Sequence, residues 1–135
     1  MRSRRTMLLT LATSILIGGS LPAFATSHRF DPIRMFDTDN DGTLDLDEVE
    51  DVASAVFDRL DPDRDGTLDV RELRGRLTAR ELAAADPDRD GTLDKDEYLA
   101  VVEQRFKAAN PDNDGTLDRR EFRTKAGQAL LRLLK

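Results

Sequence analysis

One twelve-residue phrase occurs four times in this chain and defines the unit from which any fold must be built. The copies read DTDNDGTLDLDE at 37–48, DPDRDGTLDVRE at 61–72, DPDRDGTLDKDE at 86–97 and NPDNDGTLDRRE at 110–121. Each copy has an oxygen donor at positions 1, 3, 5, 7, 9 and 12, and glycine at position 6. Carboxylates at alternate positions can surround one hard cation, and glycine permits the sharp turn that this requires. The repeat therefore predicts a protein that binds metal ions through oxygen.

This pattern resembles the metal loop of the EF hand, in which position 7 contributes its main-chain carbonyl and the other positions their side chains. The candidate ligands of loop 1 are Asp37, Asp39, Asp41, Thr43, Asp45 and Glu48. Those of loop 2 are Asp61, Asp63, Asp65, Thr67, Asp69 and Glu72. Those of loop 3 are Asp86, Asp88, Asp90, Thr92, Asp94 and Glu97. Those of loop 4 are Asn110, Asp112, Asp114, Thr116, Asp118 and Glu121. Since every clustered acid is accounted for as a ligand, we predict no catalytic residue and no enzymatic activity.

The loops stand too close together for separate helices on both sides of each one. Only 12 residues separate Glu48 from Asp61, which is enough for one helix of about 18 Å. Apolar residues at helical spacing in 49–60 and 98–109 indicate one helix shared by the two neighbouring loops. The middle segment 73–85 contains Gly75 and a capping pattern that starts at Thr78, which predicts two short helices with a bend. Further helices are predicted around 30–36 and 122–134.

The shared helices also predict which loops pair. EF-hand loops pair through a short strand around position 8, which is leucine in all four copies. A rigid helix keeps loop 1 away from loop 2, and another keeps loop 3 away from loop 4. Among neighbouring loops, only loops 2 and 3 can meet, because the segment between them is bent. We therefore expect loop 2 to pair with loop 3, and loop 1 with loop 4. The predicted fold is all-α: a compact helical bundle with four EF-hand loops at unusually short spacing, adjacent loops sharing one helix.

Residues 1–25 have the features of a signal peptide. A basic head with three Arg precedes an apolar stretch at 7–17 that is too short to span a bilayer, and small residues at 23 and 25 form a cleavage signature. We expect cleavage near Ala25, a metal-binding domain over 26–135 and, in a bacterium, a periplasmic protein free of the membrane. An uncleaved anchor is the alternative, and both the ordinary secretory route and twin-arginine export stay open.

The composition narrows the choice of partners. Cleavage would remove three Arg and no acid, which leaves 18 basic and 27 acidic side chains and a net charge of −9. Such a charge disfavours nucleic acid as a partner. The chain has no Cys, which excludes disulfides and thiolate metal sites, and we assign its single His, His28, to an exposed tail. We expect a monomer and can name no protein partner.

The number of carboxylates favours a highly charged ion. Loops 1–3 each bring five carboxylates, and loop 4 brings four because Asn110 replaces an acid. Five carboxylates around Ca²⁺ leave a net charge of −3, whereas a trivalent ion of similar size leaves −2. Repulsion among crowded carboxylates rises steeply at short range, so the additional positive charge matters. Mg²⁺ prefers a smaller octahedral shell and Zn²⁺ prefers Cys and His, so both are disfavoured.

Residues 30–134 also resemble the lanmodulins, periplasmic lanthanide-binding proteins of methylotrophic bacteria. The shared features are aspartate at position 9 of all four loops, gaps of 12–13 residues, Asn110 at the start of the last loop, and proline at position 2 (Pro62, Pro87 and Pro111). The resemblance implies selective binding of lanthanide(III) ions such as La³⁺, Ce³⁺ or Nd³⁺, weaker binding of Ca²⁺, folding on binding, a role in lanthanide uptake, transport or buffering, and loop 4 as the weak site. Loop 1 departs from the pattern, because Thr38 stands where the family has proline.

Other functions stay open at this point. Proline stiffens a loop for any metal, so a periplasmic calcium sensor or buffer is the main alternative. A sensor that exposes an apolar groove to a partner is expected to be rich in Met, and only Met35 lies in 26–135. Dockerins, which are structural calcium modules, have similarly short repeats but normally only two loops.

Overall fold

The computed structural model describes residues 30–135, so the predicted signal peptide at 1–25, its cleavage site and His28 lie outside the described residues. The elements in chain order are α1 (Pro32–Phe36), β1 (Leu44–Asp45), α2 (Leu46–Leu60), β2 (Thr67–Leu68), α3 (Ala79–Ala85), β3 (Leu93–Asp94), α4 (Lys95–Ala109), β4 (Thr116–Leu117), a 3₁₀ helix (Glu121–Arg123) and α5 (Lys125–Leu131). The fold is mostly helical with little strand, which confirms the predicted class. Among the helices of residues 30–135, none is long and apolar enough to cross a membrane.

Two long helices are each shared by neighbouring loops, as the spacing predicts. α2 runs unbroken from loop 1 to loop 2, and α4 runs from loop 3 to loop 4. Both begin with an Asp N-cap that forms a capping box with Glu48 or Glu97, and both carry further acids in their first turn. Each has 15 residues, so the two ends lie about 21 Å apart at about 1.5 Å per residue.

The segment after loop 2 differs from the prediction. Residues 70–76 form consecutive turns, so the expected first short helix of 73–85 is wrong, whereas α3 begins after Thr78 as expected. Arg71 stands where loops 1 and 3 have Asp47 and Asp96, and a cation near a helix N-terminus opposes the helix dipole. Gly75 then adopts a φ of +81°, a left-handed conformation that a helix cannot continue.

The C-terminal segment is also less regular than predicted. Instead of one helix around 122–134, a 3₁₀ helix over Glu121–Arg123 is followed by α5 over Lys125–Leu131. Thr124 separates them in an extended conformation, and its side chain accepts a hydrogen bond from the N–H of Gly127 at 3.0 Å. The prediction missed this break because Thr124 acts as an N-cap inside an apolar pattern that appears continuous.

The loops pair as expected. β1 pairs with β4 and β2 pairs with β3, both antiparallel, with Leu44 opposite Leu117 and Leu68 opposite Leu93. All four leucines are fully buried, so each pair of loops closes one end of the apolar core. Since α2 and α4 connect one pair to the other, the candidate metal loops lie at the two ends of the bundle.

Helix α4 organises the core between those ends, packing against α2 and α5. The rings of Phe57 and Tyr98 meet edge to face with centroids 5.7 Å apart. The buried hydroxyl of Tyr98 donates to the carbonyl of Leu133 at 2.7 Å. Arg105 donates to the carbonyl of Ala129 at 2.6 Å and pairs with Glu81 at 2.9 Å. These contacts fix α3 and the C-terminal residues to α4.

Candidate metal centres

Carboxylate oxygens converge in each of loops 1–3. The acids at positions 1, 3 and 12 each offer one oxygen, and the three oxygens lie within 4.8 Å of one another. The three groups are Asp37, Asp39 and Glu48; Asp61, Asp63 and Glu72; and Asp86, Asp88 and Glu97. The structure thus brings together acids from the start and the end of each loop, as wrapping around one ion requires.

The turn that achieves this is anchored on position 1. The N–H of the position-6 glycine donates to the position-1 carboxylate at 2.9 Å in loop 1, 3.0 Å in loop 2 and 2.8 Å in loop 3. The four loop glycines have φ between +86° and +93°, a conformation that side-chain-bearing residues rarely adopt. Position 4 is also left-handed, with Arg64 and Arg89 exposed to solvent and Asn40 and Asn113 in the other loops.

Positions 5 and 7 are linked to each other in every loop. In loop 1, Oδ1 of Asp41 accepts both the N–H of Thr43 at 2.8 Å and its hydroxyl at 2.6 Å. The hydroxyl bond, followed by the N–H bond, holds the pKa of Asp41 below its ordinary value. The same two bonds join position 7 to position 5 in the other three loops. Since the threonine hydroxyl is used in this way, the main-chain carbonyl remains as its candidate ligand atom.

Position 9 has a role that the sequence reading missed. In each loop, Oδ1 of the position-9 aspartate accepts the N–H of the position-12 glutamate at 2.8–3.0 Å. The glutamate Oε2 accepts the position-9 N–H in return. Asp45, Asp69, Asp94 and Asp118 therefore cap the segment that follows, and Oδ2 remains their candidate ligand atom, directly or through water. The Asp-x-x-Glu pattern was the signal for this role.

Loop 4 follows the same plan with a neutral residue first. Asn110 is only 5% exposed, and its Oδ1 and the Oε1 of Glu121 are buried without a hydrogen-bond partner among residues 30–135. In loop 1, Oδ1 of Asp37 is likewise buried without a hydrogen-bond partner among these residues. A buried acceptor without a donor is destabilising unless a cation or water supplies the partner. All three atoms belong to predicted ligands, so the donor set fits a hard cation.

The pKa shifts of the loop carboxyl groups also fit a cation site. Burial raises the pKa of Glu121, and the neighbouring Asp112, Asp118 and Asp114 add to this effect. By contrast, the N–H of Glu121 holds the pKa of Asp118 below its ordinary value, and the N–H of Glu72 does the same for Asp69. Asp69 and Asp118 are therefore stabilised as carboxylates, whereas Glu121 favours a proton or a cation.

Each loop also begins at the end of a helix. Asp37, Asp61, Asp86 and Asn110 are the C-caps of α1, α2, α3 and α4, respectively. The C-terminal end of a helix has a partial negative charge, which stabilises cations. A bound ion would thus interact with both the side-chain carboxylates and the helix end.

Thr38 also belongs to the candidate site of loop 1. From the sequence we had noted it only because it replaces the proline of the other loops. Thr38 donates its N–H and its hydroxyl to the same oxygen, Oε1 of Glu48, at 2.7 and 2.8 Å. Nothing in the sequence pattern indicates this contact, because it depends on the orientation of the glutamate side chain. Loop 1 is therefore built differently from the loops that begin with Asp-Pro.

Comparison with known proteins agrees with the geometry. The family model for the EF hand matches residues 31–53, 54–78 and 79–102, which together are 72 of the 135 residues and contain loops 1–3. A search of curated proteins finds no match to this chain.

Proposed function

The chain belongs to the EF-hand family, and from this premise we propose that it selectively binds trivalent lanthanide ions and folds as they bind. Metal binding through acidic loops is the common property of such proteins. The choice of a trivalent ion is supported above all by one observation: loops 1–3 each combine five carboxylates with oxygens that converge within 4.8 Å. The resemblance of residues 30–134 to the lanmodulins supports the same ions.

The preference for a trivalent ion follows from repulsion. Carboxylates this close repel one another strongly, and the burial of Asp61 and Asp86 reduces the screening by water in loops 2 and 3. Each unit of positive charge on the ion offsets that repulsion, while the ionic sizes of La³⁺ and Ca²⁺ are similar. We propose that the ions are cargo, since every clustered acid in the four loops is accounted for as a candidate ligand. We propose that the protein takes up, transports or buffers lanthanides in the periplasm.

Competition dialysis tests the selectivity. The protein is equilibrated with La³⁺ and a large excess of Ca²⁺, and the bound metals are measured by mass spectrometry. La³⁺ is expected to occupy loops 1–3 despite the excess. If Ca²⁺ occupies the loops in proportion to its concentration, the protein is a calcium sensor or buffer instead.

A matched variant tests the physical reason for selectivity. Asp45→Asn and Asp94→Asn each remove one carboxylate, while asparagine remains a good N-cap for α2 or α4. The preference for La³⁺ over Ca²⁺ should fall in the altered loop, with the helices intact by circular dichroism. An unchanged ratio would mean that carboxylate count does not set the preference.

The location can be tested separately. The chain is expressed in a bacterium, the periplasmic fraction is collected, and the first residue of the protein is determined. We expect Thr26 at the N-terminus and the protein in that fraction. A product that starts at residue 1 and sediments with membranes would support the uncleaved anchor.

A further inference from the structure

We propose that Thr38 acts as a latch that makes loop 1 bind its cation more weakly than loops 2 and 3. The inference rests on the proposed function only in requiring that the loops bind a cation; it does not require a trivalent one. By the number of carboxylates alone, loops 1–3 would have equal affinity for a cation. The contact from Thr38 instead predicts that loop 1 has a lower affinity than loops 2 and 3.

The first step is the use of one ligand oxygen. Glu48 occupies position 12, the residue that gives both carboxylate oxygens to the ion in a complete loop of this kind. Its Oε1 accepts the N–H of Thr38 at 2.7 Å and the hydroxyl of Thr38 at 2.8 Å. A carboxylate oxygen has two lone pairs, and both are then directed at Thr38. A cation that needs this oxygen must displace at least one of the two donors.

The second step is a displacement visible in the same carboxylate. Oε2 of the position-12 glutamate accepts the position-9 N–H at 3.0, 2.9 and 2.8 Å in loops 2, 3 and 4. In loop 1 the bond from Asp45 to Glu48 is 3.3 Å, the longest of the four. Thr38 therefore draws the glutamate away from the arrangement that the other loops share.

The third step is the chemistry of position 2. Pro62, Pro87 and Pro111 have neither an N–H nor a hydroxyl, so they cannot hold the glutamate in this way. The residue before position 2 has nevertheless the conformation that a following proline requires. Asp37, the preceding residue, is extended with ψ of 101°, close to the 79–90° of Asp61, Asp86 and Asn110, which precede proline. Loop 1 thus has two donors at position 2 that loops 2–4 lack.

The test follows each loop separately by NMR. In ¹⁵N-labelled protein, the amides of Gly42, Gly66 and Gly91 report on loops 1, 2 and 3, because each donates to the first ligand of its own loop. Free La³⁺, which is diamagnetic, is set with a chelator buffer. In the wild type we expect the signal of Gly42 to reach its bound form at higher free La³⁺ than those of Gly66 and Gly91.

Three variants separate the two donors. Thr38→Pro removes both and should raise the La³⁺ affinity of loop 1 by about tenfold or more, since a hydrogen bond to a charged group is worth at least about that factor. Thr38→Val keeps the N–H and should give a smaller increase. Thr38→Ser keeps both donors and should behave as the wild type. Gly66 and Gly91 should not respond in any variant.

The inference is overturned if Thr38→Pro and Thr38→Val leave the affinity of loop 1 unchanged or lower it. If Thr38→Pro fails to fold, the La³⁺ affinity of loop 1 in Thr38→Val tests the inference by itself. Repeating the titration with Ca²⁺ separates the two proposals. If both metals bind equally well but Thr38→Pro still strengthens loop 1, selectivity for lanthanides fails and the latch stands.

Discussion

At the scale of the residue, the first candidate ligand of loops 2 and 3 is a nearly buried carboxylate. Burial alone would raise the pKa of Asp61 and Asp86, but hydrogen bonds, led by the N–H of the loop glycine, hold it below its ordinary value. Asp61 and Asp86 are only 8% and 6% exposed, and each lies at the C-terminal end of a helix. A carboxylate in that position loses hydration and meets the negative end of the helix dipole. Asn110, which is similarly buried, avoids the charge and gives up part of the attraction for metal.

The difference in charge at position 1 predicts two opposite effects of Asn110→Asp. The affinity of loop 4 for La³⁺ should rise on the order of tenfold, because a charged ligand replaces a neutral one. The metal-free protein should become less helical, because a fifth carboxylate adds to the repulsion within loop 4. Titration calorimetry measures the first effect and circular dichroism without metal the second.

A control for that prediction is present in the same loop. Asn113→Asp adds the same charge at position 4, outside the ligand positions, and should change the affinity of loop 4 little. Equal effects of the two variants would show that net charge, not the ligand at position 1, is what matters. Four equivalent sites in the wild type would likewise contradict the ranking of loop 4 as the weak site.

At the scale of the element, each shared helix carries a candidate ligand at both ends. Glu48 lies in the first turn of α2, and Asp61 is its C-cap; Glu97 and Asn110 have the same places on α4. The sequence predicted these two helices well, because a gap of 12 residues with an apolar stripe allows little else. The same reasoning failed after loop 2, where Arg71 disfavours a helix start, and at Thr124, where a local cap outweighs the apolar pattern.

The packing of α4 against its neighbours predicts how the stability of the protein depends on pH. Tyr98 is fully buried against α2 and the C-terminal residues, and burial raises its pKa from 10.0 to about 12. Because the unfolded chain releases this proton near pH 10 and the folded chain does not, stability should be lost as the pH rises from 10 towards 12. Tyr98→Phe should lack this loss.

The chain contains a single Tyr, so its ionisation is measured directly from the absorbance of tyrosinate. The metal-saturated protein should resist ionisation at pH 10.0, whereas the metal-free protein should titrate like the protein in denaturant. Identical titrations with and without metal would show that α4 is docked in both states, contrary to folding on binding.

At the scale of the whole molecule, two loop pairs at opposite ends are joined by α2 and α4. The sequence predicted this arrangement because rigid shared helices keep loop 1 from loop 2 and loop 3 from loop 4, whereas the bent segment between loops 2 and 3 lets those two meet. It could not predict the interior of loop 1, since the bonds from Thr38 to Glu48 depend on side-chain rotamers that no repeat pattern specifies. The spacing of the loops and of the apolar residues determines which helices and loops meet. Local hydrogen bonds determine how one metal loop differs from another.

From the same arrangement we expect folding and metal binding to be one process. Residues 26–135 have a net charge of −9, with 19 carboxylates among the candidate ligands of the four loops. Without cations, this charge opposes a compact state, whereas an ion joins the end of one helix to the start of the next segment. Filling the loops should therefore bring the helices together.

Far-ultraviolet circular dichroism during titration with La³⁺ and, separately, with Ca²⁺ tests the central claim most directly. The metal-free protein should have low helicity, and La³⁺ should produce a large helical gain at a concentration at which Ca²⁺ produces a much smaller one. Equal gains at equal concentrations, or full helicity before any metal is added, would contradict the account.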